Sequence, residues 1–331
     1  MSGALAGVRV VDLSARLPGP LATLFLAQAG ADVTRVEPPG GDMLRVAFDR
    51  FPQSPSAFDL LHRGKRTVEL DLKVPADRAQ VDALIAEADV FVEGFRPDVA
   101  VRLGVDGDTL RARFPRLITC SIVGYAPDGP HAQRAGHDLT YLAERGLLGL
   151  IATADGTPAL PGVLLADVGG GTYPAVVNIL LALLARERTG TGAHVTVAMA
   201  DALAPFAVWA RAVAAGGGTV DPRRGVFTGG SPRYNLYRTR DGAWLAVGAL
   251  EEHFWRAFCA LLEIGTDATT AAVAAAVSTR DADWLRDALA RVDTCAAIVE
   301  PAQHAADDGD LILPIEPALR GERQRVSTER A

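Results

Sequence analysis

Two segments concentrate side chains whose types and spacing suit proton or acyl chemistry. In the first, Ala135-Gly-His-Asp-Leu-Thr-Tyr141, the imidazole of His137 stands four residues ahead of the phenol of Tyr141, which puts both on one side of a helix. In the second, Leu164-Leu-Ala-Asp-Val-Gly-Gly-Gly-Thr172, an apolar run reads as a strand ending at Asp167, and three glycines lead into a helix that starts near Thr172. A lone aspartate before glycine is ordinarily a turn or a helix cap, and a lone histidine ahead of a helix is ordinarily a capping or surface residue. Three consecutive glycines tilt the balance, because they cost chain entropy and add no packing unless a ligand must approach the backbone closely. The backbone N–H groups of Gly169, Gly170, Gly171 and Thr172 are therefore candidates to hold developing negative charge. Imidazole and carboxyl can each be tuned toward neutral pH, so His137 and Asp167 suit general acid–base work. Asp138 reads better as a helix cap than as an acid.

Periodicity defines the elements that must position these groups. Over the first 200 residues, short β-branched runs alternate with longer runs of helical period, the pattern of βαβ units on a mostly parallel sheet. Strands are expected at 8–12, 32–37, 67–72, 89–93, 117–122 and 194–198, and helices at 21–29, 75–87, 138–148 and 172–187. The first turn, Asp12-Leu-Ser-Ala-Arg-Leu-Pro-Gly-Pro20, lacks the G-x-G-x-x-G fingerprint, which removes most support for a nicotinamide oxidoreductase. Between 214 and 233 the chain turns rich in Gly, Pro and Arg and reads as a linker. A hairpin follows, with strands at 234–239 and 244–247 around Asp241-Gly242. Helices at 251–263 and 281–290, the latter capped by Thr279 or Asp281, and a short strand at 295–299 complete the pattern. The division is a large α/β domain over 1–200, a helix and linker over 201–233, a small α+β domain over 234–304, and a tail over 305–331.

With 331 residues, 49% hydrophobic and 22% charged, the composition is globular and excludes disorder, collagen and coiled coil. A formal charge of −7 argues against a nucleic-acid partner, although a local basic patch could still serve a small phosphorylated ligand. The longest apolar stretch free of charges and turn residues, 175–185, is far short of the roughly 20 residues a membrane helix needs. The opening Met-Ser-Gly-Ala-Leu-Ala-Gly has no leader pattern, so a cytoplasmic protein is expected. Cys120, Cys259 and Cys295 are odd in number and widely spaced, which suggests neither a disulfide framework nor a metal site.

Motifs along nearly the whole chain carry a resemblance: GVRVVDLSARLPGPLATLFLAQAGADVTRVEPPGGD, RGKRTVELDLK, ADVFVEGFRPDVAVRLGV, PRLITCSIVGYAPDGP, LLARERTGTG and GGSPRYNLYRTRDGAWLAVGALEEHFW. Together with GHDLTYLAERGLL and LLADVGGG they make the sequence similar to the family III CoA-transferase superfamily. The pair G-H-D-x-x-Y and A-D-x-G-G-G resembles its alpha-methylacyl-CoA racemase branch. The resemblance implies a Rossmann-like large domain completed by the C-terminal tail, a small domain, and two chains interlocked as a homodimer with sites shared between subunits. It also implies a 1,1-proton transfer next to a CoA thioester, with His137 and Asp167 flanking the carbon, Tyr141 supporting Asp167, and Glu251 of the other subunit paired with His137. Lys73, Arg96 and Arg102, with Arg45 as a weaker candidate, would meet the CoA phosphates, and the amides of Gly169, Gly170, Gly171 and Thr172 are the candidates to stabilise the enolate such a reaction needs. Coenzyme A enters only as part of the substrate, and no metal, redox cofactor, nucleic acid or membrane is implied. The turn Val36-Glu-Pro-Pro-Gly-Gly-Asp42 is closer to the transferase style. The runner-up is accordingly a CoA-transferase in which Asp167 is the acyl-accepting nucleophile. A catalytically dead CoA-binding scaffold would have no use for the set of His137, Tyr141, Asp167 and Glu251.

Overall fold

The computed structural model describes residues 3–46, 54–153, 155–306 and 313–321. Six strands form one parallel sheet: β1 (Arg9–Leu13), β2 (Asp32–Glu37), β3 (Arg66–Glu69), β4 (Val90–Glu93), β5 (Ile118–Val123) and β6 (His194–Ala198). Their order is β3-β2-β1-β4-β5-β6. That order is doubly wound, and its direction reverses between β1 and β4, where the crevice at the carboxyl ends of the strands takes ligands in such sheets. Strands buried on both faces explain the near-continuous apolar runs; β4 (Val-Phe-Val-Glu) is buried at every position.

Helices α1 (Pro18–Gln28), α2 (Met43–Val46), α3 (Ser54–His62), α4 (Pro75–Ala86), α5 (Pro97–Leu103) and α6 (Gly107–Arg113) follow the first four strands. One face of the sheet buries Val81, Ile85, Phe91 and Leu110, while Leu21, Leu24 and Phe25 of α1 form a second core with Leu61 and Leu313. The seven-residue helices α5 and α6 are too short for periodicity to reveal; Pro97 starts one, and the Asp106 carboxylate accepting from Thr109 N caps the other.

The helix expected over 138–148 is broken. It forms as α7 (Asp138–Glu144) and α8 (Leu147–Leu150), because Gly146 takes a φ of +76° between them. The segment expected to be a strand ending at Asp167 is helical instead: Ala166–Thr172 is a π-helix that runs into α9 (Tyr173–Thr189). Together, Ala166–Thr189 is one helix of 24 residues, long and apolar enough by composition to cross a membrane, whereas the sequence alone marked out only 175–185. After β6 come α10 (Met199–Ala202) and α11 (Val208–Ala215).

The chain divides into two compact units, one made of Met1–Gly146, Pro161–Ala207 and Asp310–Ala331, the other of Leu147–Leu160 and Val208–Gly309. Residues 147–160 thus cluster with the second unit, outside the large domain drawn from sequence. In the first unit Ala4 N donates to Leu319 O and Gly321 N to Gln28 O, so residues 313–321 lie along α1; the rest of the tail from 307 lies outside the described residues. The second unit is a three-stranded antiparallel sheet, β7 (Tyr234–Arg238), β8 (Trp244–Gly248) and β9 (Ala296–Ile298), with α12 (Glu252–Leu261), α13 (Thr270–Val277) and α14 (Ala282–Leu289). Its core is built on Trp255, Phe258, Leu245 and Val277. The cap of α14 differs from expectation. Asp281 pairs with Arg240, and the Asp241 carboxylate of the hairpin turn accepts from Ala282 N in its place.

Candidate active site

Asp138 organises the site. It is the first residue of α7 and buried, and its Oδ1 accepts from Ala166 N at 2.6 Å and Asp167 N at 2.9 Å. It therefore caps not its own helix but the start of the π-helix, satisfying two amides that would otherwise be orphaned. This clasp fixes Asp167 against α7, which carries His137 at its N-cap and Tyr141 one turn later. Thr140 Oγ1 accepts from His137 N at 2.9 Å and donates to His137 O at 2.8 Å, so the helix start is held through the backbone, with His137 exposed. Tyr141 is buried, and its phenol fills the spaces left by Gly124 and Gly136, where an added Cβ would lie 2.4 Å from the hydroxyl oxygen and 2.3 Å from a ring carbon.

The three glycines have a different reason than expected. A Cβ on Gly169 would meet the Phe206 ring at 2.4 Å, on Gly170 the Met199 carbonyl oxygen at 2.7 Å, and on Gly171 Pro18 at 2.7 Å. Neighbouring protein already fills the space that a side chain at each would need. The amides of Gly170, Gly171 and Thr172 are also committed, because the i→i−5 bonding of the π-helix runs through 170–172 and Tyr173 N continues it to Val168 O. The expectation that these amides hold developing charge is corrected on that ground for Gly170, Gly171 and Thr172. Thr172 Oγ1 donates to Pro18 O at 2.9 Å, which ties the π-helix to the β1–α1 turn at the point where the sheet order reverses.

Burial pushes the Asp167 carboxyl up from its ordinary 3.8 to about 6; the Asp138 carboxylate adds to this, and the charges of His137 and Arg16 oppose it. Burial also raises the Tyr141 phenol to about 12, with Tyr125 and Asp167 contributing. His137, Tyr141 and Asp167 thus feel one another's charge within one electrostatic neighbourhood. Because the folded carboxyl holds its proton more tightly than the unfolded one, ionised Asp167 costs stability above about pH 6, and the cost vanishes below about pH 4. Asp167→Asn is therefore expected to gain about 1 kcal/mol at pH 8, allowing for solvent screening, and nothing at pH 4. Urea titrations at the two pH values check this; an equal effect at both would refute it.

A cavity of about 1030 Å³ lies across the carboxyl ends of β1 to β4. Lys73 and Arg102 are exposed on its wall, whereas Arg96 and Arg45 do not line it. Arg45 is committed elsewhere: its Nε lies 3.1 Å from Glu37 Oε2, and its guanidinium stacks 3.6 Å from the Phe58 ring centroid. Sequence reasoning missed two other cations on this wall. Arg35 is buried against Asp42 at 2.5 Å, and Arg78 pairs with Asp82 and donates to the carbonyls that end α5, so both serve the fold. Glu251 is the exposed N-cap of α12 in the second unit. Among the described residues no cluster of His, Cys, Asp and Glu could hold a metal ion.

A doubly wound sheet with a large crevice at its reversal point, and a near-neutral carboxyl beside an exposed imidazole, defines an α/β protein suited to acid–base or acyl chemistry. The sequence profile of CoA-transferase family III matches residues 5–313, and the chain belongs to that family. It is 36% identical over 255 residues to the alpha-methylacyl-CoA racemase of Homo sapiens, covering 76% of this chain and 63% of that protein. It is 38% identical over 205 residues to the succinate–glutarate CoA-transferase of Agrobacterium fabrum, covering 60% of this chain and 51% of that protein. The match thus spans less than two thirds of the length of either relative. Among solved structures, a CAIB/BAIF family protein from Brucella suis superposes with a TM-score of 0.80 at 29% identity, covering 93% of this chain and 87% of that one.

Proposed function

We propose that this chain moves a proton between the two faces of the carbon next to a CoA thioester, as a racemase or epimerase of 2-methylacyl-CoA esters. The observation that carries the reading is the Asp138 clasp, which sets a carboxyl raised to about 6 beside the helix that presents His137. In one direction the Asp167 carboxylate takes the α-proton, leaving an enolate, and the His137 imidazolium returns a proton to the opposite face. The other enantiomer uses the two groups in reversed roles, and no atom is gained or lost overall. Coenzyme A enters as part of the substrate, with its phosphates toward Lys73 and Arg102.

A second reading, CoA transfer through an acyl anhydride on Asp167, is favoured by the half-buried, accessible state of that carboxyl. Incubating one enantiomer of a 2-methylacyl-CoA in D₂O separates the two. The racemase reading expects both epimers, deuterated at the α-carbon, with no acceptor acid. Acceptor-dependent CoA exchange with the α-hydrogen retained would overturn it in favour of transfer.

Replacing Lys73 or Arg102 by alanine is expected to weaken CoA binding about two- to fivefold at low ionic strength and very little at about 1 M salt, where the Debye length is ~3 Å. Calorimetric titration at both salt levels checks this. A loss that is independent of salt would argue against phosphate contacts.

We further propose a homodimer in which Glu251 of one copy serves His137 of the other. The motivation is the apolar face of α9, where Val177, Leu180, Leu181 and Leu184 are all exposed. Mixed refolding of His137→Ala chains with Glu251→Ala chains should restore part of the activity. Mixtures no more active than either parent, with wild type surviving the same procedure, would count against shared sites.

A further inference from the structure

Arg16 has no role in the reading above, yet its setting is unusual. It lies just past the carboxyl end of β1, beside the reversal of strand order, and adopts a left-handed φ of +66°. Only two other described non-glycine residues do so: Glu263, just beyond α12, and Cys295, just before β9. The bend turns the chain from β1 into Pro18, which starts α1 and packs on Gly171 of the π-helix. Glycine would make this turn without strain, so an arginine here spends local backbone preference on keeping a guanidinium in place. That guanidinium is exposed and forms no ion pair with a carboxylate among the described residues. Its charge reaches the site, since it opposes the burial-driven rise of both Asp167 and Tyr141.

We propose that Arg16 receives a carboxylate of the substrate, so that this site takes dicarboxylic rather than purely hydrocarbon acyl groups. The proposal rests on the reading of the site as one for CoA thioesters and narrows its substrate class. A planar guanidinium matches a carboxylate in a two-point hydrogen-bonded fork. A branched hydrocarbon chain would have to desolvate that guanidinium for no compensating bond. Stabilising an enolate would call for a donor shut away from water, which an exposed arginine is not. The carboxylate has two possible sources, the far end of the acyl group or a free acceptor acid.

Two stable CoA thioethers of equal chain length, S-(3-carboxypropyl)-CoA and S-butyl-CoA, test the first source by calorimetry. The native protein is expected to prefer the acid about tenfold. Arg16→Gly, which suits the left-handed backbone, should bring the ratio close to one, and Arg16→Lys should keep part of the preference. S-butyl-CoA bound equally by native and Arg16→Gly protein shows that the fold is intact. The second source is tested with glutarate titrated into protein saturated with CoA; binding lost in Arg16→Gly but kept in Arg16→Lys assigns the carboxylate to a free acid. If Arg16→Gly alters neither the thioether ratio nor glutarate affinity, the proposal is overturned. These are binding measurements, so a failure of α-deuteration would strike the racemase reading alone. Failure to bind either thioether would overturn the CoA reading together with the proposal.

Discussion

Replacing His137 by alanine is expected to slow α-proton exchange about 10²–10⁴-fold, the usual range for losing a general acid–base group. The fold should survive, because the start of α7 is secured by Thr140 through the His137 backbone and by nothing that alanine removes from the main chain. Asp167→Asn should cause a loss of similar size, and the double variant should be little worse than either single one if the two groups act as a unit. Deuterium incorporation into one enantiomer, followed by mass spectrometry with the epimers resolved, measures all three. A His137→Ala protein that exchanges within threefold of wild type, at unchanged melting temperature, would remove the imidazole from the reaction. Retained CoA transfer in that same variant would point to Asp167 acting as a nucleophile alone.

Removing Asp12 should have the largest effect on stability. This carboxylate on β1 is fully buried and accepts from Ser14 N at 2.9 Å, Ser14 Oγ at 2.5 Å and Thr23 Oγ1 at 2.6 Å. Lys65 Nζ lies 3.4 Å away and Arg35 NH1 3.8 Å, both buried as well. Burial disfavours the charge, yet Lys65, Arg35 and the two hydroxyls prevail and hold the carboxyl down at about 2. Asp12→Ala leaves two buried cations short of their counter-charge, and the expected loss is about 3–5 kcal/mol. The sign with pH follows from the lowered value: the contribution of the ion cluster is present above about pH 4 and is lost as pH falls through 2. Urea midpoints of wild type and variant from pH 7 downward test both statements; a loss under about 1 kcal/mol at pH 7 would show that the cluster is self-compensating. The consequence reaches the site, because the Asp12 hydrogen bonds to Ser14 and Thr23 brace the turn that carries Arg16 and seats Pro18 on the π-helix.

Much of the architecture is written locally. The bounds of β2 and β6 match those read from alternation and β-branching, and the β7–β8 hairpin follows from Asp241-Gly242 between two apolar runs. The missing glycine fingerprint, too, is a property of one short turn. His137, Tyr141 and Asp167 are visible as candidates because their residue types and short-range spacing already suggest chemistry. Each such signal is contained within about ten residues of chain, so backbone propensity and side-chain periodicity are enough to express it.

Tertiary structure decided what those residues do together. Asp138 looks like a cap in sequence, but the helix it caps starts 28 residues later, and no local pattern encodes that partnership. The run Leu164-Leu-Ala-Asp167 has the composition of a strand; it is helical because its first amides find the Asp138 carboxylate and its glycines let Pro18, Met199 and Phe206 close in. Among four candidate cations, only the folded sheet separates Lys73 and Arg102, on the crevice wall, from Arg45, neutralised by Glu37, and from Arg96 outside it. Arg16 carries no sequence signal at all; its interest comes from a backbone angle and a neighbour 151 positions away in the chain, Asp167. Hydrogen-bond partners, buried charge and a raised carboxyl all depend on distances through space, and chain order fixes those only once the sheet has brought remote turns to one edge.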